Sequence, residues 1–299
     1  MKYEKYLSSY SENLKGKRYI VTGANSGLGF QTSRYLLFLE ASVIMACRNT
    51  KRAEEAFLLL KQEFPNADLR IELYDQASFA SIASFARRMK REERIDGLIC
   101  NAGVYFPREG ALTEDGFELT IGTNYIGQNE LVRQMEHLLE RWKTRVIAVT
   151  SLTAVQAKDL PFERGFELRR NGRYAFSKLL LARAAYERMK SDRFPVVLVH
   201  PGVCSTNILS NKDTGLPSKF ARAGRRFLNV FTHSAEKAAL CILAGALCAY
   251  RPGIYIKPRG PFAISGYPKI VGLPKKFHSS GLLDETEEFL KRRNYVSSQ

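Results

Sequence analysis

The sequence predicts a doubly wound α/β fold, with a parallel sheet of about seven strands and helices on both faces. Three features carry that expectation. Short β-branched or apolar runs alternate with longer segments of helical period. A glycine-rich turn follows the first run, and residues with chemical capability stand just after the later runs, where open parallel sheets bind ligands. With 299 residues, 45% of them hydrophobic, the chain can bury a large core. It has no Pro-, Ser- or Gly-rich linker and no internal repeat. Residues 1–299 therefore read as a single domain with an insertion near 204–233 and a short C-terminal tail.

The first run spans 18–22; others follow at 42–47, 68–74, 95–100, 145–151 and 195–200, with a last strand at 253–257. Near-continuous apolar runs suit strands covered on both faces. Helical patterns near 28–39, 51–63, 77–91, 115–141 and 174–190 are long enough for right-handed crossovers. Beyond 203 the alternation is less regular, with a loop at 204–215, a helical pattern at 216–231 and an apolar helix at 235–249. Residues 216–231 alternate Leu216, Phe220, Phe227, Val230 and Phe231 with Lys219, Arg222, Arg225 and Arg226. This amphipathic pattern is expected to form a helical substrate cover after strand six; core packing and peripheral contact with an anionic membrane are the other readings.

Residues 1–13 are polar and charged and lack the apolar middle of a secretory signal. The longest apolar stretch, 238–250, has 13 residues, short of the roughly 20 that cross a bilayer. A cytoplasmic location is expected. The cysteines, Cys47, Cys100, Cys204, Cys241 and Cys248, show no C-x-x-C spacing. His137, His200, His233 and His278 show no metal-ligand spacing, and no metal site is expected. The net charge of +16 admits nucleic acids, anionic lipids or phosphorylated ligands. Because the basic residues are spread without a recognised nucleic-acid motif, no nucleic-acid partner is expected and solvated faces account for the charge.

The glycine-rich turn reads Thr22-Gly23-Ala24-Asn25-Ser26-Gly27-Leu28-Gly29. Its glycines let the backbone turn sharply toward a pyrophosphate, and the next helix presents unpaired amides and a positive dipole end. The spacing differs from the G-x-G-x-x-G dinucleotide turn, and a plain strand-to-helix turn could use the same glycines. At the second strand end, where an acid would bind the ribose of NAD, the chain has Cys47-Arg48-Asn49, with Lys51 and Arg52 beyond. A cation there suits the 2′-phosphate of NADP, with NAD the alternative; an exposed arginine at a helix start is the bland reading. Further on, Tyr174 and Lys178 lie four apart, so one helix face presents phenol and ammonium to one pocket. An unperturbed phenol titrates at about pH 10, too high for proton transfer at neutral pH, and a nearby ammonium lowers it.

Together these residues resemble the short-chain dehydrogenase/reductase family over 15–257. Residues 22–29 match the family's cofactor turn, Asn101-Ala102-Gly103 its central-strand motif and Asn124 its active-site asparagine. Ser151 matches its catalytic serine, Tyr174 and Lys178 its Y-x-x-x-K pair, and Pro201-Gly202 with Thr206 its nicotinamide-side loop. The Cys47-Arg48-Asn49 turn and the 22 residues between Ser151 and Tyr174 are similar to the retinol-dehydrogenase-like branch.

The resemblance implies a Rossmann domain and an NADP(H)-dependent oxidoreductase that interconverts an alcohol with a ketone or aldehyde, on an apolar substrate. Tyr174 would give or take the proton, Lys178 would lower its pKa and bind the nicotinamide ribose, and Ser151 would hold the substrate oxygen. Asn124 would position a water linking Lys178 to solvent. Gly23, Asn25, Ser26, Gly27, Leu28, Gly29, Arg48, Asn49, Asn101, Ala102, Gly103, Pro201, Gly202 and Thr206 would contact the coenzyme. Asp75 would lie beside the adenine or cap the helix near Ala77. The helices near 115–141 and 174–190 would pair subunits, with a monomer as the alternative. A catalytically silent, dinucleotide-bound sensor or scaffold is the other function class. The joint presence of Asn124, Ser151, Tyr174 and Lys178 argues against it, because binding alone needs no phenol–ammonium pair.

Overall fold

A computed structural model describes residues 3–8, 13–203 and 234–295; the expected cover at 216–231 and Thr206 lie outside the described residues. The elements that matter here are β1 (Arg18–Thr22), α1 (Gly27–Phe38), β2 (Ser42–Cys47), α2 (Thr50–Glu63), β3 (Leu69–Leu73), α3 (Phe79–Met89) and β4 (Gly97–Cys100). They continue with α4 (Gln128–Trp142), β5 (Arg145–Val149), α5 (Arg170–Ser191), β6 (Val196–Val199), α6 (Ala235–Leu247), β7 (Ile254–Pro258), β8 (Pro268–Gly272) and α7 (Leu282–Arg292).

Among the described residues, the strands form one sheet in the order β3-β2-β1-β4-β5-β6-β7-β8. It is parallel from β3 to β7, and β8 runs antiparallel to β7. In β1, Ile20 sits opposite Ile44 of β2 on one side and Leu98 of β4 on the other. The chain changes the side on which it adds strands between β3 and β4, which opens a crevice past the carboxyl ends of β1 and β4.

Successive side chains of a strand face opposite ways, and in β1 Ile20 enters one core while Tyr19 and Val21 enter the other. The first core is closed by α3, α4 and α5 through Phe85, Leu139 and Leu179. The second is closed by α1, α2 and α6 through Leu36, Leu60 and Ile242. Full burial of each such side chain is worth roughly 1.5–3 kcal/mol. Covering on both faces is why the strands read as unbroken apolar runs. The stretch near 238–250 is likewise core helix, with Ala238 to Ala246 buried along α6. No helix among the described residues is long and apolar enough to cross a membrane.

Two elements differ from the sequence expectation. The sheet gains β8, whose Ile270 is 51% exposed and which is bounded by Pro268 and Gly272, so its apolar signal is weak. The helix expected from 115 starts only at Leu119, because Glu118 caps it by accepting the Ile121 amide at 2.9 Å. Between Gly122 and Gly127 its coil then widens to π form, a local irregularity frequent at functional sites. Gly127 is required there, since a Cβ would lie 1.9 Å from the Gln76 carbonyl oxygen.

The C-terminal segment returns to α5. Gly281 has no side chain with which to cap α7, and the Glu187 carboxylate of α5 does so instead, accepting the amides of Leu282 and Leu283 at 2.9 and 3.0 Å. Tyr125 and Thr286 share a buried hydroxyl hydrogen bond of 2.6 Å, and Phe289 stacks on Phe166. In this way α7 occupies part of the outer surface of α5, one of the two helices that the family resemblance implies for subunit pairing.

Gly127→Ala is expected to destabilise the protein by about 1–3 kcal/mol, because its new methyl meets backbone that cannot rotate away. Gly272→Ala has open space around it and should stay within about 0.5 kcal/mol of wild type. Urea midpoints of both variants check this; equal midpoints would contradict the close packing at the π turn.

Candidate active site

The turn after β1 is shaped by two close approaches. Gly23 has φ +67°, and Gly29, in the first turn of α1, packs so tightly that a Cβ would lie 2.3 Å from the Gly23 carbonyl oxygen. Any larger residue would push α1 off the strand end. Ser26 sits at the N-cap with extended backbone and makes no side-chain cap, and no acid lies in the first turn of α1. The amides of that turn therefore face outward in a field that favours an anion. The residues present fit a pyrophosphate group. Beneath the turn, burial pushes the Cys47 thiol up to about 11, so it stays neutral against the Ala24 and Asn25 amides.

Thr22 ties this turn to the end of β4. Its hydroxyl accepts the amides of Asn101 and Ala102 at 3.0 and 2.9 Å and donates to Ile99. The Asn101 carboxamide donates back to the Thr22 carbonyl at 2.8 Å. On the far side, buried Gln76 donates to the carbonyls of Ala102 and Thr123 at 3.1 and 2.7 Å. Asn101, Ala102 and Gly103 thus stand beside the glycine turn on a rigid support.

At the end of β2, Arg48 is 65% exposed at its side chain and reaches Asp75 at only 3.8 Å. A pair so open to water holds little energy, which leaves the guanidinium able to turn. Asn49 caps α2 by accepting the Arg52 amide at 2.9 Å. Asp75 accepts the Ala77 amide at 2.9 Å, but Ser78 is the residue that caps α3. Asp75 shapes the turn before the helix.

The residues expected to carry the acid/base chemistry lie where β4 and β5 end against α5. Tyr174 and Lys178 are one turn apart on α5. Lys178 is buried, and its ammonium donates to the Val149 carbonyl, the last residue of β5, at 2.9 Å. Two residues further on, the Ser151 hydroxyl accepts from the Thr153 hydroxyl at 3.1 Å. Asn124, within the π turn, is fully buried and clamps the chain after β4. It accepts the Val104 amide at 2.7 Å and donates to the Val104 carbonyl at 2.9 Å. It also donates to Ser177 at 3.2 Å. The Tyr105 ring that follows meets Tyr174 edge-on, with centroids 4.6 Å apart. At Gly103, a Cβ would lie 2.9 Å from Asn124 Oδ1 and 3.7 Å from Lys178 Nζ, so this residue leaves the space over the ammonium open.

The end of β6 completes the rim. Gly202 takes φ +97°; its amide donates to His200 Nδ1 at 3.4 Å while His200 Nε2 donates to the Ala263 carbonyl at 3.1 Å. Pro201 and Gly202 are thereby tied to the loop after β7. The sequence places Thr22 in the cofactor turn but does not show its bracing of the β4 end, nor the contacts of Gln76, Tyr105 and the Val149 carbonyl. Thr22 was signalled by its place directly before Gly23; the others act through contacts far apart in the chain.

A family model described as short chain dehydrogenase matches residues 17–216. Retinol dehydrogenase 14 of Mus musculus is 35% identical over 212 residues, which cover 65% of this chain and 63% of that protein. Retinol dehydrogenase 13 of Mus musculus is 35% identical over 212 residues, covering 68% of this chain and 62% of that one. The matched region therefore spans less than two thirds of either relative. Among solved structures, a protein from Mycobacterium paratuberculosis superposes with a TM-score of 0.71 at 25% identity, covering 95% of this chain and 96% of that one.

Burial lowers the Lys178 pKa from 10.5 to about 8. Below pH 8 the ammonium is charged in both folded and unfolded chains, and its burial cost is fully present. Between about pH 8 and 10.5 the unfolded chain binds more protons, so stability rises with pH. Lys178→Met should therefore raise the urea midpoint of the coenzyme-free protein at pH 7, and the gain should vanish by about pH 10.5. A gain that does not change with pH would show that the buried charge is not its source.

Proposed function

The chain belongs to the short-chain dehydrogenase family, and we propose that it is an NADP(H)-dependent oxidoreductase interconverting an alcohol with a ketone or aldehyde. The observation that supports this reading is that Lys178, one turn after Tyr174 on α5, bonds the last residue of β5 two positions before Ser151, and lies with Asn124 against Gly103 beside a turn shaped for a pyrophosphate.

A bound nicotinamide dinucleotide supplies the hydride in reduction and accepts it in oxidation. Tyr174 gives its phenolic proton to the substrate oxygen as a carbonyl becomes an alcohol, and takes it back in the reverse direction. Lys178, a cation held dry and one turn away, would stabilise the negative charge on the Tyr174 oxygen as its proton leaves. It also reaches the space over Gly103, where a ribose hydroxyl would lie. Ser151 offers its hydroxyl to the substrate oxygen and keeps that oxygen in reach of Tyr174. Asn124 spends its amide on Val104 and Ser177 and so keeps the floor of the site in place.

Asp75 would lie beside the adenine, with Asn101, Ala102 and Gly103 beneath the adenosine ribose and Thr206 at the carboxamide. For the coenzyme, Arg48 supports NADP(H): its loose contact with Asp75 leaves it able to meet a 2′-phosphate with a charge-assisted hydrogen bond. For the substrate, the relatives named retinol dehydrogenases favour an apolar molecule.

Tyr174→Phe should lower NADPH-dependent turnover of a panel of ketones and aldehydes by about 10²–10⁴-fold while NADPH affinity is retained. Turnover that persists in this variant would remove the phenol from the mechanism, and partner binding without turnover in the wild type would favour a sensor. Arg48→Ala should weaken NADPH about tenfold or more and leave NADH within about twofold in fluorescence titrations. Equal loss for both coenzymes would remove the basis for NADP(H) preference.

A further inference from the structure

The loop that leaves β4 is gripped by two residues one turn apart on α5. Tyr174 meets the ring of Tyr105 edge-on at 4.6 Å and 88°. Tyr105 meets Phe106 at 4.2 Å and 78°. The guanidinium of Arg170, four residues before Tyr174, lies 5.7 Å from the centre of the Phe106 ring. The two aromatic rings are therefore enclosed between positions 170 and 174 of one helix.

This grip is reinforced at the backbone. Phe106 adopts the left-handed conformation, with φ +50°, which a bulky residue takes only when its surroundings hold it there. Arg170 does so by donating to the carbonyls of Phe106 and Pro107. Glu109 pairs with Arg173 at 2.9 Å and with Arg170 at 3.6 Å, and Arg173 also reaches Glu118 at 3.7 Å. At the other end, Asn124 fixes Val104 through both of its backbone polar groups. Tyr105 thus stands between two anchored points, with its ring against Tyr174. Burial raises the pKa of Tyr105, so it remains a neutral phenol and does not compete for the proton.

We propose that Tyr105 is a positioning residue, whose ring, gripped between Tyr174 and the Arg170–Phe106 pair, fixes the rotamer of the Tyr174 phenol over the site. The proposal rests on Tyr174 as the proton donor and goes beyond it by naming what aims the donor. A freely turning phenol would reach the substrate oxygen in only part of its conformations, and an edge-on neighbour narrows that range. The hydroxyl of Tyr105 has no part in this; its ring does.

The test uses the full chain and the variants Tyr105→Ala and Tyr105→Phe, with NADPH and the best carbonyl substrate of the panel. Tyr105→Ala should lower kcat about 10- to 100-fold with NADPH affinity unchanged, and Tyr105→Phe should stay within about threefold of wild type. A kcat within twofold of wild type in Tyr105→Ala overturns the proposal. So does a loss in Tyr105→Phe as large as in Tyr105→Ala, because the hydroxyl would then be the active part. A second measurement does not depend on turnover. The Tyr174 ring protons, identified by their absence in Tyr174→Phe, should show a ring-current shift that is lost in Tyr105→Ala and kept in Tyr105→Phe. If wild type turns over no carbonyl, the oxidoreductase reading fails, while this spectrum still decides whether Tyr105 orients Tyr174; a shift unchanged in Tyr105→Ala sinks it.

Discussion

The buried ammonium of Lys178, bonded to the carbonyl of Val149, is the constraint around which the site is organised. A charge out of water needs a strong acceptor, and a carbonyl at the end of a parallel strand is one that α5 can meet only in a single axial position. That contact fixes α5, and with it Tyr174, against the end of β5, and it brings Lys178 close to Gly103 at the end of β4. The cost of burial appears as the depressed pKa, about 8. A group tuned that far toward neutrality responds to its surroundings where a solvated lysine would not. The same burial that weakens the fold therefore tunes this group.

Around that contact the molecule uses close backbone approach where other proteins use side chains. Gly29 lets α1 reach the Gly23 carbonyl, Gly127 lets the π turn reach Gln76, and Gly103 leaves room between Asn124 and Lys178. The polar groups exposed by these approaches are taken up by Thr22, Gln76 and Asn124, each of which bonds backbone from a distant part of the chain. Such fully satisfied networks resist deformation. They hold the carboxyl edge of the sheet rigid without occupying the space in front of it.

The C-terminal segment serves the other side of the site. Glu285 accepts the Phe162 amide at 3.2 Å and Lys276 donates to the Ala157 carbonyl, while from α5 Arg183 holds Asp159 with two bonds of 2.8 and 2.7 Å. All three act on the stretch between Ser151 and Tyr174. Phe162 and Phe289 pack edge to face beneath it. The segment after Ser151 carries little regular structure, and its shape comes from α5 and α7 instead.

Much of this was legible in the sequence. β1 and β2 begin and end where the apolar runs do, because strands covered on both faces leave no polar position to blur the pattern. The glycine turn and the Y-x-x-x-K pair were legible because each is a short stretch of chain, where spacing alone signals local geometry. β8 was not, because only one of its faces packs, and neither was the late start of the helix at Leu119, which depends on Glu118 turning back to cap it. Of the two readings for Asp75, beside the adenine or as a helix cap, the structure gives the cap to Ser78, three residues on, and leaves Asp75 bonding the Ala77 amide. Tertiary structure alone decided that Lys178 meets Val149, that Asn124 clamps Val104, and that Tyr105 lies on Tyr174. Local periodicity records which face a residue occupies, but a contact between residues 20 to 70 positions apart exists only once the sheet has chosen its strand order.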